Sequence, residues 1–293
     1  MQQQYNAKND NIFVWVKDKL YPRNEAKVSV FDSSVQGGDA VWEGLRVYNG
    51  KVFCLAEHLE RLQASAHAMM FANVPDNDFI TTAIYATLKA NGMSDDAHIR
   101  LTLTRGEKIT SGMDPRLNQS GCTLIVLAEW KAPVYPNAIT LITSSIRRNG
   151  PANIDSKIHH NNLINNILAK IEANNAGGDD ALMLDNNGFV AETNACNIFM
   201  IKNGMVFTPN ADACLPGITR KTVISLCQQN NIPIHLKNIS LTEMYNADQV
   251  FTTGTMGELT AVKMIDGRAI INRSGAGLMQ HIRNLFHNLT QAL

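Results

Sequence analysis

Lys157 and Glu192 are the residues whose types could carry covalent and proton-transfer chemistry. Lys157 precedes an asparagine-rich segment, and Glu192 lies in GFVAETNACNIFMI, which reads as a buried strand. A lysine amine can bond covalently to a carbonyl carbon, and a buried carboxylate needs a cationic or hydrogen-bonding partner. Each residue has an ordinary alternative, a surface charge for Lys157 and an edge-strand carboxylate facing water for Glu192.

Three further stretches offer groups that bind anions. In LPGITR a Pro-Gly turn leads into a helix, so the N–H groups of Ile218 and Thr219 and the Thr219 hydroxyl lie at the positive end of a helix dipole. TTGTMGEL places Thr255 and free amides in a glycine-flanked turn, and EHLERLQASA adds the charge of Arg61. Taken singly, these stretches are explained at least as well by a capped helix, a turn and a solvated arginine.

The elements that position these residues begin with antiparallel strands. Asn49-Gly50 separates LRVY from KVFCL and predicts a two-residue hairpin turn, because both residues tolerate a positive φ; Asn203-Gly204 predicts a second turn of this kind. The strands and helices together indicate a mixed α and β class with antiparallel strands, without the regular βαβ alternation of a doubly wound sheet.

Helical spacing of apolar residues predicts helices in LAEHLERLQASAHAMMF, in DFITTAIYATLKANG with a glycine cap at its end, and over residues 161–176. The buried face of the first helix is expected to consist of Leu59, Leu62, Ala66 and either Met69 or Met70. The two prolines in KAPVYPNA cannot continue a central strand and indicate an interdomain connection. We therefore expect an N-terminal domain at 1–131, a linker at 132–138 and a C-terminal domain at 139–293.

The overall composition argues against nucleic acid and anionic membranes as partners. The chain has 293 residues, of which 45% are hydrophobic, and its 26 basic and 26 acidic residues cancel. A net charge of zero gives no overall attraction to nucleic acid or to an anionic membrane, so we expect neither as a partner. The length favours two domains.

The five cysteines are odd in number and scattered, with no CxxC pair and no His/Cys cluster at the spacing of metal ligands. We therefore expect neither a disulfide framework nor a metal site. The start of the sequence lacks a basic region followed by an apolar one, and no window of about 18 consecutive apolar residues occurs. The sequence predicts a soluble, cytoplasmic protein.

In chain order, seven motifs of this sequence resemble those of the fold-type IV pyridoxal-phosphate enzymes, the class IV aminotransferases. That family includes branched-chain and D-amino-acid transaminases and 4-amino-4-deoxychorismate lyase. The resemblance spans about residues 28–270, through GGDAVWEGLRVYNGKVF, EHLERL, IRLTLTRG, SKIHHNNLINNILAKIEAN, LDNNGFVAETNACNIFMIKNGMVFTP, LPGITR and TTGTMGELTAV. It implies an α+β fold with a small N-terminal α/β domain and a larger C-terminal domain, which has a mostly antiparallel, barrel-like sheet and helices.

The resemblance also implies a cofactor, pyridoxal 5'-phosphate, and the residues that hold it. Lys157 would bond the cofactor covalently and then carry a proton. Glu192 would face the pyridine nitrogen and keep it protonated, so that the ring can take up electrons. The phosphate would be bound by Arg61, Ile218, Thr219 and Thr255.

For the substrate, the resemblance implies an apolar wall at Trp42 and several carboxylate donors. Arg100 matches an arginine of the branched-chain enzymes, and Arg116 matches an arginine that binds the substrate carboxylate in the D-amino-acid enzymes. The amides of Met256 and Gly257 offer further donors.

Several positions depart from the family's patterns. Asn162 stands where branched-chain transaminases have a tyrosine near the cofactor's phenolic oxygen, and Asn118 stands where the D-amino-acid enzymes have a histidine. Trp42 and Gly37 replace the aromatic pattern around VFEG. Arg148 lies where the family often has an arginine near the phenolic oxygen.

These matches predict a transaminase that moves an amino group from an L-amino acid with an apolar, branched or aromatic side chain to a 2-oxo acid such as 2-oxoglutarate. The alternatives are a D-amino-acid transaminase, a lyase acting on aminodeoxychorismate, and a non-enzymatic relic that binds the cofactor. The lysine and the glutamate argue against the relic, because phosphate binding requires neither. The resemblance further implies a homodimer.

Overall fold

The computed structural model describes residues 5–135, 137–272, 275 and 277–293. Positions outside the described residues fall in the expected N-terminal domain (1–4), linker (136) and C-terminal domain (273, 274 and 276). The described chain forms two compact units. The first contains the residues up to Ala132 together with Ile158–Asn162, and the second contains Pro133–Lys157 and Leu163–Ala292. The division at 131, 132–138 and 139 remains a prediction.

A six-stranded antiparallel sheet forms the framework of the first unit. Its strands are β1 (Phe13–Val16), β2 (Lys19–Pro22), β3 (Ala40–Tyr48), β4 (Lys51–Val52), β5 (Ala97–Thr104) and β6 (Thr123–Trp130). They pair in the spatial order β2-β1-β6-β5-β3-β4. The inner strands β3 and β5 are buried along nearly their whole length. A charged side chain on either strand therefore has to find its partners inside the protein.

Helices cover the core of this sheet. They are α1 (Ser33–Gly37), α2 (Leu55–Ala68) and α3 (Asn77–Asn91), with short 3-10 turns at Ala7–Asn9 and Pro115–Leu117. The expected face of α2 is confirmed, because Leu59, Leu62 and Ala66 are buried in the core. Met69 continues that face and packs against the core, whereas Met70 is 84% exposed. The predicted glycine cap of α3 is also confirmed, since Gly92 is left-handed.

The segment Ile158–Asn162 lies along β3. The Trp42 amide donates to the His159 carbonyl at 2.9 Å, and the Asn161 amide donates to the Ala40 carbonyl at 2.8 Å. These bonds hold the segment extended. The helix predicted over 161–176 consequently begins only at Ile164, a correction caused by long-range pairing that outweighs the local helical pattern.

The second unit is built on a mixed sheet. Its strands are β7 (Ile139–Thr143), β8 (Asp180–Leu184), β9 (Val190–Thr193), β10 (Asn197–Lys202), β11 (Met205–Thr208), β12 (Ile234–Leu236), β13 (Gln249–Gly254), β14 (Glu258–Ile265) and β15 (Arg268–Ala269). The order is β12-β11-β10-β13-β14-β7-β8-β9, with β15 paired to β14. Pairing is antiparallel except at β11–β12, β14–β7 and β7–β8.

The helices of this unit are α4 (Ile164–Asn175), α5 (Ile218–Gln229), α6 (Leu241–Tyr245) and α7 (Leu278–Gln291). Both Asn-Gly hairpin turns predicted from the sequence are confirmed. Asn49 and Gly50 have φ of 49° and 78° between β3 and β4, and Asn203 and Gly204 have φ of 49° and 75° between β10 and β11. In the described part of the chain, no helix combines the length and the apolar character needed to cross a membrane.

Candidate active site

Glu192 is a buried carboxylate of the second unit. It lies on the outermost strand β9, yet it is only 5% exposed. Arg148 Nε donates to its Oε1 at 2.6 Å, Asn197 Nδ2 donates to its Oε2 at 3.0 Å, and the Leu215 amide donates to Oε1 at 3.3 Å. The alternative of a solvated edge carboxylate is therefore wrong.

The surroundings of Glu192 have opposing effects on the pKa of its carboxyl group. Burial raises the pKa of the Glu192 carboxyl, while the charge and hydrogen bond of Arg148 and the amide of Leu215 oppose the rise. Among the described residues, Oε2 accepts only from Asn197. Since each carboxylate oxygen has two acceptor positions, Oε2 can still accept one further N–H group.

Lys157 is the exposed amine of this unit. Its side chain is 46% exposed, and Nζ lies 3.4 Å from Asp155 Oδ1, which also accepts from the Lys157 backbone amide. An exposed amine in a turn is accessible to a carbonyl compound, and that accessibility is a condition for covalent chemistry.

The buried thiol of Cys214 is affected by the charges of both Glu192 and Lys157. Burial and the charge of Glu192 raise the pKa of the Cys214 thiol to about 12. The charges that oppose this rise are those of Arg220, Arg148 and Lys157. The amine and the carboxylate that the sequence singled out therefore act on the same buried group.

The start of α5 provides an anion-binding position. Gly217 precedes the helix, and no described side chain caps its first turn. Ile218 and Thr219 follow directly and are 7% and 6% exposed. Backbone N–H groups without an intrahelical partner, at the positive end of the helix dipole, favour an anion there.

The turn between β13 and β14 is the second stretch for which the sequence predicts anion-binding groups. The strands pair up to Gly254 opposite Glu258, so Thr255, Met256 and Gly257 form the turn. The turn is tightly packed, because a Cβ on Gly254 would meet Cys196 Sγ at 2.9 Å. These three residues are half-buried at the end of the sheet.

In the first unit, Arg61 is held by a buried carboxylate. Glu43 on β3 is fully buried and accepts from Arg61 Nε at 2.8 Å and from Arg61 Nη2 at 2.6 Å. The Nδ1 atoms of His58 and His159 lie 2.7 Å and 3.2 Å from the same carboxylate. Arg61 is thus an oriented cation and not a solvated helix arginine.

Trp42 and Arg100 form a stack in the same unit. The Arg100 guanidinium lies 3.5 Å from the centre of the Trp42 ring, and the His159 ring lies 4.1 Å from it on centroid distance. Arg100 Nη2 also donates to Asn161 Oδ1 at 2.9 Å. Burial lowers the pKa of Arg100 to about 10, so the group remains a cation at neutral pH.

Arg116 occupies a different environment from Arg100. Its side chain is 88% exposed and pairs with Asp114, two residues earlier, through two hydrogen bonds from Nε. Among the described residues, the hydrogen bonds and the ion pair of its side chain all go to Asp114. Its role as a carboxylate ligand stays a prediction.

Glu43, His159 and Asn197 are polar members of these clusters that were not predicted from the sequence. Glu43 carried a usable signal, because a lone carboxylate in the apolar run AVWEGL is the same pattern that singled out Glu192. His159 and Asn197 act through partners distant in the sequence, which no local pattern shows. The described residues contain no group of three or more His, Cys, Asp or Glu side chains that could bind a metal.

The sequence pattern of the family described as Amino-transferase class IV matches residues 40–265. The chain belongs to the class IV aminotransferase family. The family and the fold class predicted from the motifs are thereby confirmed.

Two relatives of the chain carry names that refer to branched-chain-amino-acid aminotransferases. Branched-chain-amino-acid aminotransferase-like protein 2 of Arabidopsis thaliana is 59% identical over 284 residues, which are 96% of this chain and 51% of that protein. The putative branched-chain-amino-acid aminotransferase of Methanocaldococcus jannaschii is 35% identical over 277 residues, 94% of this chain and 96% of that protein. The chain spans about half the length of the Arabidopsis relative.

A solved structure shares this architecture. The T.th. branched-chain amino acid aminotransferase complexed with N-(5'-phosphopyridoxyl)-L-glutamate matches with a TM-score of 0.88 and 30% identity, covering 96% of this chain and 95% of that one. The chain therefore shares the fold of that enzyme over nearly its full length.

Proposed function

We propose that the chain is a pyridoxal-phosphate-dependent transaminase that moves an amino group from an L-amino acid with an apolar or branched side chain to a 2-oxo acid such as 2-oxoglutarate. The observation that carries the proposal is the buried Glu192 carboxylate, which is held by Arg148 and Asn197. The names of two relatives, both of which refer to branched-chain amino acids, support the branched-chain donor.

The described residues fit pyridoxal 5'-phosphate. Glu192 Oε2 has an acceptor position left for a ring N–H, the first turn of α5 can bind a phosphate, and Lys157 offers an exposed amine. When bound, the cofactor supplies an electron-poor ring that takes up the electrons of a breaking bond at the substrate Cα.

Each of these residues has one task in the proposal. Lys157 Nζ would take the proton from the substrate Cα and return it to the C4′ carbon of the cofactor. Glu192 would hold a proton on the ring nitrogen, and the charge of Arg148 favours the ionised form of Glu192 against the effect of burial. The remaining cofactor ligands bind the phosphate: Arg61, Ile218, Thr219 and Thr255.

For the substrate, the proposal assigns Trp42 to the side chain and Arg100, with the amides of Met256 and Gly257, to carboxylate groups. Arg100 is favoured over Arg116, because Arg100 is partly buried and oriented by Trp42 and Asn161, whereas Arg116 pairs with Asp114 in solvent. A fixed arginine loses less entropy on binding a carboxylate than a solvated one.

A homodimer and a cytoplasmic location are parts of the proposal. One face of α4 exposes four large apolar side chains at the helical spacing i, i+3, i+4 and i+7, namely Ile164, Ile167, Leu168 and Ile171. The opposite face packs Ala169 and Ala173 against β8. An apolar helix face of this kind is typical of a surface that another subunit covers. None of the five cysteines, which all lie in the described part of the chain, forms a disulfide, and a reducing compartment keeps cysteines in this state.

A donor panel tests the function. The protein, loaded with pyridoxal phosphate, is mixed with single amino acids of both hands, and the absorbance of the cofactor is followed without acceptor. We expect L-leucine, L-isoleucine or L-valine to convert the cofactor to its aminated form, and Lys157→Ala to abolish the conversion. Faster conversion by D-alanine or D-glutamate supports the D-amino-acid enzyme instead, and pyruvate release from aminodeoxychorismate supports the lyase.

A further inference from the structure

Asn197 is a buried amide whose donors face two acceptors. It is the first residue of β10 and is 6% exposed. Its Nδ2 donates to Glu192 Oε2 at 3.0 Å and to the Leu215 carbonyl at 2.9 Å. Both partners are acceptors, so the orientation of the amide follows from its surroundings.

Asn197 and Glu192 both form hydrogen bonds with the backbone of Leu215. Its carbonyl accepts from Asn197, and its amide donates to Glu192 Oε1 at 3.3 Å. The loop that leads into α5 is therefore tied to the carboxylate directly through the Leu215 amide and indirectly, through Asn197, by the Leu215 carbonyl.

The other side of the Asn197 amide lies against the start of α5. Gly217 has a φ of −64°, which any residue adopts, so its backbone does not require glycine. A Cβ at this position, however, would lie 2.0 Å from Asn197 Oδ1. The glycine is required by the approach of Asn197, and one side chain thus contacts the carboxylate, the loop and the helix start.

We propose that Asn197 is a positioning residue that fixes the Glu192 carboxylate relative to the first turn of α5, so that the ring nitrogen and the phosphate of one pyridoxal phosphate are bound together. The inference rests on the proposed function. Two binding positions held at a fixed separation bind a linked ligand more tightly than two loosely held ones, because less ordering is needed on binding.

The first test compares pyridoxal phosphate with pyridoxal, which lacks the phosphate. In Asn197→Ala and Asn197→Asp we expect the dissociation constant of pyridoxal phosphate to rise roughly 10- to 100-fold and that of pyridoxal to rise less than about threefold. Asn197→Asp keeps the shape but removes the donor and places a second carboxyl group beside Glu192. Equal weakening of both ligands, or of neither, overturns the proposal.

A structural control separates positioning from general destabilisation. Tyr245 donates to Asp266 Oδ2 at 2.7 Å in the same unit, and Tyr245→Phe should lower the melting temperature without changing the ratio of the two dissociation constants. If Tyr245→Phe changes that ratio as much as Asn197→Ala does, the effect reports stability and the proposal fails.

The second test is a double-mutant cycle that does not need a cofactor. Gly217→Ala alone should lower the melting temperature, because the new Cβ meets Asn197 Oδ1, and in the Asn197→Ala background the same change should cost much less. Additive effects overturn the contact on which the inference depends. Wild-type protein that takes up no pyridoxal phosphate contradicts the proposed function, while this cycle still tests the contact.

Discussion

At the scale of single residues, Glu43 and Glu192 are both buried carboxylates that pair with an arginine, but their protonation differs. Burial opposes the ionisation of Glu43, yet its contacts with His159, Arg61 and His58 outweigh this and hold its pKa well below the ordinary value of 4.5. Burial raises the pKa of Glu192. Glu43 therefore stays ionised and holds Arg61 in place, whereas Glu192 is suited to share a proton with a ligand.

The lowered pKa of Glu43 predicts a pH-dependent contribution to stability. A lowered carboxyl pKa stabilises the folded state above the unfolded value of 4.5, and the contribution disappears as the pH falls toward the folded pKa. Glu43→Gln should cost about 3 kcal/mol at neutral pH, because it leaves Arg61 without its carboxylate.

Urea unfolding of wild type and Glu43→Gln between pH 3 and 8 measures this contribution, with Glu60→Gln, an exposed neighbour of Arg61 on α2, as the control. The stability difference of Glu43→Gln should be constant at neutral pH and shrink below about pH 4.5. A difference that grows on acidification contradicts the account.

Glu192→Gln should separate binding from turnover. Glutamine keeps the size of the side chain and cofactor uptake should change less than about threefold, but the ring nitrogen loses its proton-holding partner and kcat should fall roughly 100-fold or more. Cofactor titration and steady-state rates with the best donor check this. Wild-type turnover in the variant would remove Glu192 from the site.

At the scale of elements, the local patterns were the predictable part of the fold. The Asn-Gly turns and the Gly92 cap were correct because each depends on a few neighbouring residues and on a positive φ. The predicted start of α4 at residue 161 was wrong. The Asn161 amide donates to the carbonyl of a residue in β3, more than a hundred residues away in the chain. The close approach of Asn197 to Gly217 could not be predicted from local patterns either, because the two residues are far apart in the sequence.

The position of Thr219 in the first turn of α5 predicts that its substitution weakens phosphate binding without slowing the saturated enzyme. Thr219→Val removes one hydroxyl at the uncapped first turn and should raise the dissociation constant of pyridoxal phosphate roughly tenfold, with little effect on the rate of the saturated enzyme. Thr222→Val is the matched control, since the Thr222 hydroxyl donates to the Ile218 carbonyl of its own helix at 3.0 Å. Equal effects of the two variants would contradict the assignment of Thr219.

The apolar face of α4 predicts an assembly. Ile167→Lys should convert a dimer to a monomer, because a charge placed in a closely packed apolar interface loses its hydration without a partner. Sedimentation or light scattering checks the mass, and Gln228→Lys, an exposed position on α5, is the control. A wild-type monomer, or an unchanged dimer in Ile167→Lys, contradicts the assignment of this face.

At the scale of the whole molecule, the order of the motifs predicted the family, whereas no single motif did. Lys157, Glu192, Ile218 and Thr219 belong to the second unit, and the structure gives Glu192 its buried partners. Trp42 and Arg100 could be proposed from the resemblance, but their stacking could not, since it depends on the register of β3 against β5 and on the segment Ile158–Asn162.

The central claim is that Lys157 is the amine that bonds the cofactor. Protein incubated with pyridoxal phosphate is reduced with borohydride, digested, and the modified peptide is identified by mass spectrometry. The account predicts one equivalent of label on Lys157 in wild type and loss of that label in Lys157→Ala, which still binds cofactor through the phosphate. Label at another lysine in wild type, or near-normal labelling of Lys157→Ala, would contradict it.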